Sequence, residues 1–127
     1  MKILIADRSK QIRDRLEKLI FGTLGNVTVF HTDSNMDAIK YIEENYLDVI
    51  LFDIDLFDGS GFKILSKTRT VPYDPLKIVF TNHIHHNIEE VSYKLGTDYF
   101  LNKSHDFIEI KKILSALNRN DNQRIAN

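Results

Sequence analysis

The segment VILFDIDLFDGSG, residues 49–61, joins an apolar run directly to a group of acids. Val49–Phe52 is apolar throughout, and Asp53, Asp55 and Asp58 follow it closely. A short, uniformly apolar run is typical of a strand that is buried on both faces, as in a parallel sheet. Neighbouring carboxylates repel one another and lose hydration near a core. The segment therefore indicates that these acids hold a cation or that one of them is a nucleophile.

The same alternation of apolar runs and helical patterns extends over most of the chain. Four more runs are predicted to be strands: Ile3–Ala6, Val27–Phe30, Ile78–Phe80 and Tyr99–Leu101. Each strand is followed by an apolar stripe with helical spacing. The stripes are Ile12, Leu16, Leu19 and Ile20; Met36, Ile39, Tyr41 and Ile42; Ile64 and Leu65; Ile88, Val91 and Leu95; and Phe107, Ile110, Ile113, Leu114 and Leu117. This pattern predicts an α/β fold, a doubly wound five-stranded parallel sheet with right-handed crossovers.

Composition narrows the function classes. The chain has 127 residues, of which 43% are hydrophobic, and this suits one compact domain over residues 1–117. Residues 118–127 are polar, and we expect this tail to fray. The net charge is -1 and cysteine is absent, so we expect no direct nucleic-acid binding and no thiolate metal site. No apolar stretch approaches the ~18 residues of a membrane span, so we expect a cytoplasmic protein with no membrane partner.

The first polar residues after the predicted strands form a candidate site. Asp7 follows the first strand, Asp53 the third and Thr81 the fourth, and Lys103 lies just after the fifth. The carboxyl ends of parallel strands meet at one edge of the sheet, where ligands bind. A carboxylate there can attack phosphorus, while a hydroxyl and an ammonium hold the phosphoryl oxygens. Spare carboxylates can bind a divalent cation, so the set predicts phosphoryl transfer.

These motifs resemble the receiver domain of bacterial two-component response regulators. The resemblance rests on Asp7, on LFDIDLFDGSG around Asp53, on IVFT ending at Thr81 and on GTDYFLNK ending at Lys103. It implies a flavodoxin-like fold with strand order 2-1-3-4-5. It also implies that a histidine kinase or phosphotransfer protein phosphorylates Asp53, and that Thr81 and Lys103 contact the phosphate.

The resemblance further implies a metal and a switch. Mg²⁺ would be bound by Asp7, Asp53 and Asp55, the last through its backbone carbonyl, with its side chain as an additional acid. Phe100 matches the aromatic switch position, which turns inward when Thr81 is drawn to the phosphate. The signal would then pass by contact to an unidentified downstream protein.

Arg8 and Asn82 depart from the family pattern near the site, and His83 lies beside them. Arg8 stands where the second acid of the metal site is usual, and it places a permanent cation there. We therefore expect weak binding of Mg²⁺ and an ion pair from Arg8 to Asp53 or Asp7. Asn82 stands where a small residue is usual and would crowd access of the phosphoryl group. His83 occupies a position that, in the family, influences the lifetime of the phosphate.

Two other functions stay open. A pseudo-receiver would keep the fold and signal without phosphorylation, because Arg8 disrupts the metal site. The segment FDIDLFDG also resembles the first motif of the haloacid dehalogenase phosphatases, in which an acid/base Asp follows the nucleophile by two places. Its position on the third strand, and Phe57 within it, weigh against the phosphatase. We therefore expect no enzyme beyond a domain that assists its own phosphotransfer and dephosphorylation.

Two apolar residues fall outside the helical stripes. Tyr93 lies off the stripe of the fourth helix, and Ile108 lies off the stripe of the fifth. The resemblance implies that the fourth helix, fifth strand and fifth helix form the output and dimer surface. We therefore expect Tyr93 and Ile108 to contact a partner protein or a second copy of this chain.

Overall fold

The computed structural model describes residues 1–83, 85 and 87–126, with side chains described as far as residue 118. Its strands are β1 (Lys2–Ala6), β2 (Thr28–Thr32), β3 (Val49–Phe52), β4 (Asp55–Leu56), β5 (Gly59–Ser60), β6 (Leu76–Thr81) and β7 (Tyr99–Asn102). Strands β4 and β5 form a small antiparallel hairpin, and the other five form a parallel sheet in the order β2-β1-β3-β6-β7. Counted within that sheet, the order is 2-1-3-4-5, which confirms the predicted fold.

Five helices alternate with the strands of the sheet in the described part of the chain. They are α1 (Lys10–Leu24), α2 (Asn35–Glu44), α3 (Phe62–Thr68), α4 (Ile88–Lys94) and α5 (Phe107–Ala126). Within the residues that the structure describes, no helix is both long and apolar enough to cross a membrane.

The sheet is covered on both faces, and this explains why its strands are apolar throughout. Ile3 and Ile5 of β1 pack with residues of α1 and α5, whereas Leu4 and Ala6 pack on the other face with residues of α2 and α3. Strand β3 lies between β1 and β6 in the sheet and is buried along its whole length. A central strand of a parallel sheet has no exposed face, so alternation of polar and apolar residues is lost.

The loop after β3 is tied to the start of α2. The Asp58 carboxylate accepts the backbone N–H groups of Asn35 (2.7 Å) and Met36 (2.9 Å). These bonds cap the helix and lower the pKa of Asp58 below its ordinary value. Further along the loop, a Cβ at Gly61 would overlap the backbone carbonyl of Asp53. The loop therefore closes tightly behind Asp53, and only glycine fits at that point.

Helix α2 exposes one residue of the stripe that was predicted to be buried. Met36 is 75% exposed, whereas Asn35, Ala38 and Ile42 are buried. The prediction of Met36 as part of the buried stripe is therefore wrong. Met36 lies in the first turn of α2, where its backbone N–H donates to Asp58 of the neighbouring loop while its side chain faces solvent.

On α4 the residue buried after Ile88 lies four positions further on, at Ser92, and not three positions further on, at Val91. Ser92 is fully buried and Val91 is 41% exposed, contrary to the prediction. A period of 3.6 residues permits either step after Ile88, so spacing alone could not decide. The Ser92 carbonyl accepts the N–H of Thr97 (3.1 Å), a bond that closes the C-terminal end of α4 before the chain enters β7. Tyr93 lies on the exposed side, at 45% exposure, as its phase predicted.

Helix α5 extends beyond the predicted domain boundary. It continues to Ala126, so most of the segment 118–127 is helical, and its fraying stays a prediction. Asn127, the last residue of that tail, lies outside the described residues. The segment NRNDNQRIA contains neither proline nor glycine, the two residues that most often end a helix, so its polarity alone does not stop α5.

Candidate functional site

The four residues predicted from the strand ends lie at one edge of the sheet. Asp7 follows β1, Asp53 follows β3, Thr81 ends β6 and Lys103 lies just after β7. Backbone bonds join these ends: the N–H of Asp53 donates to the carbonyl of Ala6 (2.9 Å), and the N–H of Lys103 donates to that of Thr81 (3.1 Å). The topology thus brings the four together, and their roles stay predictions.

A cleft of about 250 Å³ opens at this edge. It is lined by Asp7, Arg8, Ser9, Asp53, Asp55, Asn82, His83 and Lys103. Thr81 is fully buried, and its Oγ1 accepts the backbone N–H of His83 (3.1 Å). The Thr81 hydroxyl is therefore engaged by the loop after β6 in this state.

Lys103 holds the two buried carboxylates together. Its Nζ lies 2.6 Å from Asp53 Oδ2 and 2.7 Å from Asp7 Oδ2. The side chains of Asp53, Asp7 and Lys103 are only 9%, 3% and 11% exposed. Two carboxylates at this depth would repel each other strongly without a shared cation. One ammonium between them makes the arrangement stable.

Burial and pairing shift the pKa values of two of these groups. Burial raises the pKa of Asp7 above its ordinary value, although the ammonium of Lys103 and the backbone N–H of Ser9 offset part of the shift. Burial alone would lower the pKa of Lys103, but the carboxylates of Asp53 and Asp7 outweigh it and raise the pKa. Lys103 therefore keeps its proton at neutral pH.

Arg8 does not pair with Asp53 or Asp7, so that prediction is wrong. Its Nη1 lies 3.2 Å from Asp55 Oδ2, and its guanidinium lies over the Phe57 ring, 4.7 Å from the ring centre. Lys103 already occupies the Oδ2 atoms of both buried acids. The Arg8 and Asp55 side chains are about half exposed, at 47% and 50%, so this pair lies at the mouth of the cleft.

Two other residues of the cleft come from the loop after β6. His83 Nε2 lies 3.7 Å from Asp55 Oδ2, the oxygen that also pairs with Arg8. Asn82 Oδ1 accepts the hydroxyl of Ser104 (3.3 Å) and so links this loop to the one after β7. Asn82 and His83, which with Arg8 were predicted to modify the site, therefore line it, and Asn82 is turned towards the neighbouring loop.

The residues predicted to transmit a signal lie on the neighbouring strand and helices. Phe100 is half-buried, and its backbone N–H donates to Tyr93 Oη (3.2 Å), which joins β7 to α4. Ile108 on α5 is 67% exposed, as its phase predicted. Tyr99 on β7 and Val91 on α4 are also exposed, at 41% each. These exposed apolar residues lie on α4, β7 and α5.

Sequence reasoning missed two residues that support Asp7. The backbone N–H of Ser9 donates to Asp7 Oδ1 (2.8 Å), and Arg13 Nη1 donates to the Asp7 carbonyl (2.6 Å). Ser9 also caps α1 by accepting the N–H of Ile12 (3.2 Å). The cap position two residues after Asp7 was visible as a signal for Ser9. Arg13 gave none, because it lies six positions after Asp7, inside helix α1.

The site offers poor ligands for the Mg²⁺ that the resemblance implied. Each carboxylate oxygen of Asp7 and Asp53 already accepts a hydrogen bond, two from Lys103 and one each from the N–H groups of Ser9 and Asp55. The side-chain cations of Lys103 and Arg8 also line the cleft. In the described part of the chain, no group of three or more His, Cys, Asp or Glu side chains is placed to hold a metal ion. Mg²⁺ requires several oxygen ligands in a near-octahedral arrangement, so the residues do not fit it.

Comparison with known proteins gives the family. The family model described as "Response regulator receiver domain" matches residues 3–115. The chain therefore belongs to the response regulator receiver domain family, the signal-receiving part of two-component systems. This match favours the receiver over the phosphatase interpretation of the segment around Asp53.

Individual relatives agree with this assignment. The chain is 24% identical over 110 residues to regulatory protein VanRc of Enterococcus gallinarum, which is 86% of this chain and 46% of that protein. It is 30% identical over 80 residues to sensory transduction protein LytT of Bacillus anthracis, which is 63% of this chain and 32% of that protein. The chain thus spans less than half the length of these two relatives. Its fold is similar to the response regulatory domain of protein mrkE from Klebsiella pneumoniae, with a TM-score of 0.81, 21% identity, and coverage of 97% of this chain and 99% of that one.

Proposed function

We propose that this receiver domain accepts a phosphoryl group on Asp53 from a histidine kinase or a phosphotransfer protein, and then signals by contact with another protein. One observation carries the proposal: Asp53 lines the cleft while Lys103 Nζ lies 2.6 Å from its Oδ2. A nucleophile thus has beside it a cation that can follow the negative charge onto the phosphoryl oxygens. Asp7 holds the same ammonium at 2.7 Å, so Lys103 is in place before the donor arrives.

The transfer forms one bond and breaks one. A carboxylate oxygen of Asp53 attacks phosphorus, and the bond between phosphorus and the donor's histidine nitrogen breaks. The leaving imidazole keeps the electron pair of that bond. Lys103 stays protonated throughout because its pKa is raised, and it stabilises the charge on the transferring group.

The response to phosphorylation would pass through Thr81 and Phe100. The Thr81 hydroxyl would exchange the N–H of His83 for a phosphoryl oxygen, which requires the loop after β6 to move. An inward turn of Phe100 would then strain the bond between its N–H and Tyr93 Oη. Helix α4 would be displaced because this bond joins it to β7.

The surface of α4, β7 and α5 supports the second half of the proposal. Tyr93 and Ile108 are exposed there, beside Val91 and Tyr99. Aromatic and aliphatic side chains of this kind tend to dominate the energy of protein interfaces. We propose that a downstream protein or a second copy of the chain binds this surface.

A pseudo-receiver is the second candidate, and the charges of the site favour it. Arg8 stands at the mouth of the cleft, and both buried acids already share the ammonium of Lys103. Such a site could hold one conformation without phosphate and signal through the same surface. In that case replacing Arg8 by aspartate would create phosphorylation that the natural chain lacks.

Intact-protein mass spectrometry after incubation with acetyl phosphate, with and without Mg²⁺, separates the two candidates. We expect a phosphoryl adduct on the natural chain and none on Asp53→Asn. Asp48→Asn is the matched control, because Asp48 is an exposed acid just before β3 that accepts the N–H of Lys2 (2.7 Å). An adduct on Arg8→Asp alone would favour the pseudo-receiver, and an unchanged adduct on Asp53→Asn would refute Asp53 as the acceptor.

A further inference from the structure

Phosphorylation adds negative charge to the site, and the ammonium of Lys103 cannot neutralise that charge alone. A phosphate group on a side chain carries about -1.5 to -2 charges at pH 7, so converting the Asp53 carboxylate to an acyl phosphate adds negative charge. Lys103 already serves both Asp53 and Asp7. If it moved fully to the phosphoryl group, Asp7 would be left as a buried carboxylate without a partner, and that is costly.

Arg8 is a second cation at the same cleft, and it is loosely held. It lines the cleft together with Asp53, and it follows Asp7 directly in the chain, at the end of the strand that neighbours β3. Its ion pair with Asp55, at 3.2 Å, is half exposed on both sides. Exposed ion pairs of this kind contribute little and exchange readily. Its stacking on Phe57 is likewise at the surface, since that ring is 63% exposed.

The guanidinium group suits a phosphoryl ligand. It presents N–H donors in a rigid, planar fork that binds two phosphate oxygens at once, and it stays charged at every physiological pH. Arginine side chains stabilise the charge of transferring phosphoryl groups in other protein classes. The ammonium of Lys103 approaches from the end of β7, and Arg8 approaches from the end of β1. The two cations therefore approach the cleft from the ends of different strands.

We infer that Arg8 leaves Asp55 and binds the phosphoryl group on Asp53, so that this receiver is phosphorylated without a divalent metal ion. Asp55 is then a positioning residue that holds Arg8 over the cleft until the phosphoryl group arrives. The bonds formed and broken are those of the transfer itself: with acetyl phosphate, Asp53 oxygen bonds to phosphorus and acetate leaves with the electron pair of its bond to phosphorus. The inference rests on the proposed phosphorylation of Asp53 and adds the group that neutralises its product.

The test is the rate of adduct formation from acetyl phosphate in excess EDTA, measured on the intact protein by mass spectrometry. We expect the natural chain to react in EDTA and Arg8→Ala to react ~10²-fold more slowly, the effect typical of removing one charge-stabilising donor. Arg8→Lys should fall between them, because it keeps the charge and loses the fork. Arg69→Ala is the matched control, since Arg69 is exposed just after the C-terminal end of α3 and donates to the carbonyl of Lys94 (3.5 Å).

A second readout does not depend on the rate. In ¹⁵N spectra recorded in EDTA, the Nε–H signal of Arg8 should move when the phosphoryl group is added, while that of Arg69 should stay. Arg8→Ala assigns the signal by its loss. A stationary Arg8 signal in fully phosphorylated protein overturns the inference.

The outcomes separate this inference from the proposal on which it rests. An adduct that forms only with Mg²⁺, or equally fast in Arg8→Ala and in the natural chain, overturns the role of Arg8 and leaves Asp53 as acceptor. The absence of any adduct in every variant, with and without Mg²⁺, overturns both. A fall in rate confined to Arg8→Ala and Arg8→Lys in EDTA, with Arg69→Ala unchanged, supports the inference.

Discussion

Replacing Lys103 by methionine tests whether one ammonium holds the site together. Methionine removes the charge and keeps an unbranched side chain that fills irregular space. The change leaves the Asp7 and Asp53 side chains, 3% and 9% exposed, without their shared cation. Removing one partner of a buried ion pair typically costs about 3–5 kcal/mol. Because the cleft admits water to this pair, we expect the lower end, about 3 kcal/mol off the free energy of unfolding.

Urea unfolding at neutral pH and low salt measures this loss. With an m-value of about 1.5 kcal/mol per molar urea, a loss of 3 kcal/mol lowers the midpoint by about 2 M. Asp7→Asn alone should change stability by less than about 1 kcal/mol, because Lys103 keeps Asp53 as a partner. The double variant should recover about 1.5 kcal/mol of the loss, since only one buried carboxylate then lacks a cation.

Lys112→Met is the matched control. Lys112 pairs with Glu109 at 3.2 Å, and its side chain is 68% exposed, so its loss should stay within about 0.5 kcal/mol. The reasoning is refuted if Lys103→Met and Lys112→Met cost the same. It is also refuted if Asp7→Asn brings no recovery in the Lys103→Met background, because the loss would then come from packing and not from unpaired charge.

Three further changes probe the expected metal binding, the loop after β3 and the proposed output surface. Arg8→Asp should raise affinity for Mg²⁺ at least ~10-fold, since it replaces a cation by an oxygen ligand; equal affinities in a titration would contradict this. Asp58→Asn should destabilise the fold by about 1 kcal/mol through the weakened cap of α2. Because the pKa of Asp58 is lowered in the fold, its contribution is present above the ordinary Asp pKa and is lost as pH falls through the lowered value, so urea midpoints of the two proteins should converge in acid. Ile108→Glu should weaken self-association or partner binding while the melting temperature stays nearly constant, as its side chain is 67% exposed; a large drop in melting temperature would show that Ile108 is part of the core.

The fold could be predicted from the sequence because the decisive signals are local. The run Val49–Phe52 is buried on both sides, as its uniform apolarity indicated, and the acids after it fall at the sheet edge. The buried face of a helix was harder to predict where two neighbouring positions both fit the helical spacing. On α4 the stripe passes through Ser92 instead of Val91, since a helical period of 3.6 accommodates both and the packing against β7 decides. Helix α5 is longer than its apolar stripe because the polar residues that follow the stripe include no proline or glycine to end it.

The composition of the site could be predicted, but its pairing could not. Strand ends placed Asp7, Asp53, Thr81 and Lys103 together because the topology of a parallel sheet requires it. Which cation pairs with which acid depends on side-chain reach and depth, and neither is encoded in spacing. Arg8 is adjacent to Asp7 in the sequence and yet pairs elsewhere.

Depth explains that pairing. A carboxylate removed from water needs compensation far more than an exposed one does, so the most buried acids take the cation that can reach them inside the fold. Lys103 enters from the end of β7 with its side chain 11% exposed and serves both Asp7 and Asp53. Arg8 is left with Asp55, where water already screens both charges. The cation that is least needed at rest is therefore the one that can move at least cost when a phosphoryl group adds charge to the cleft.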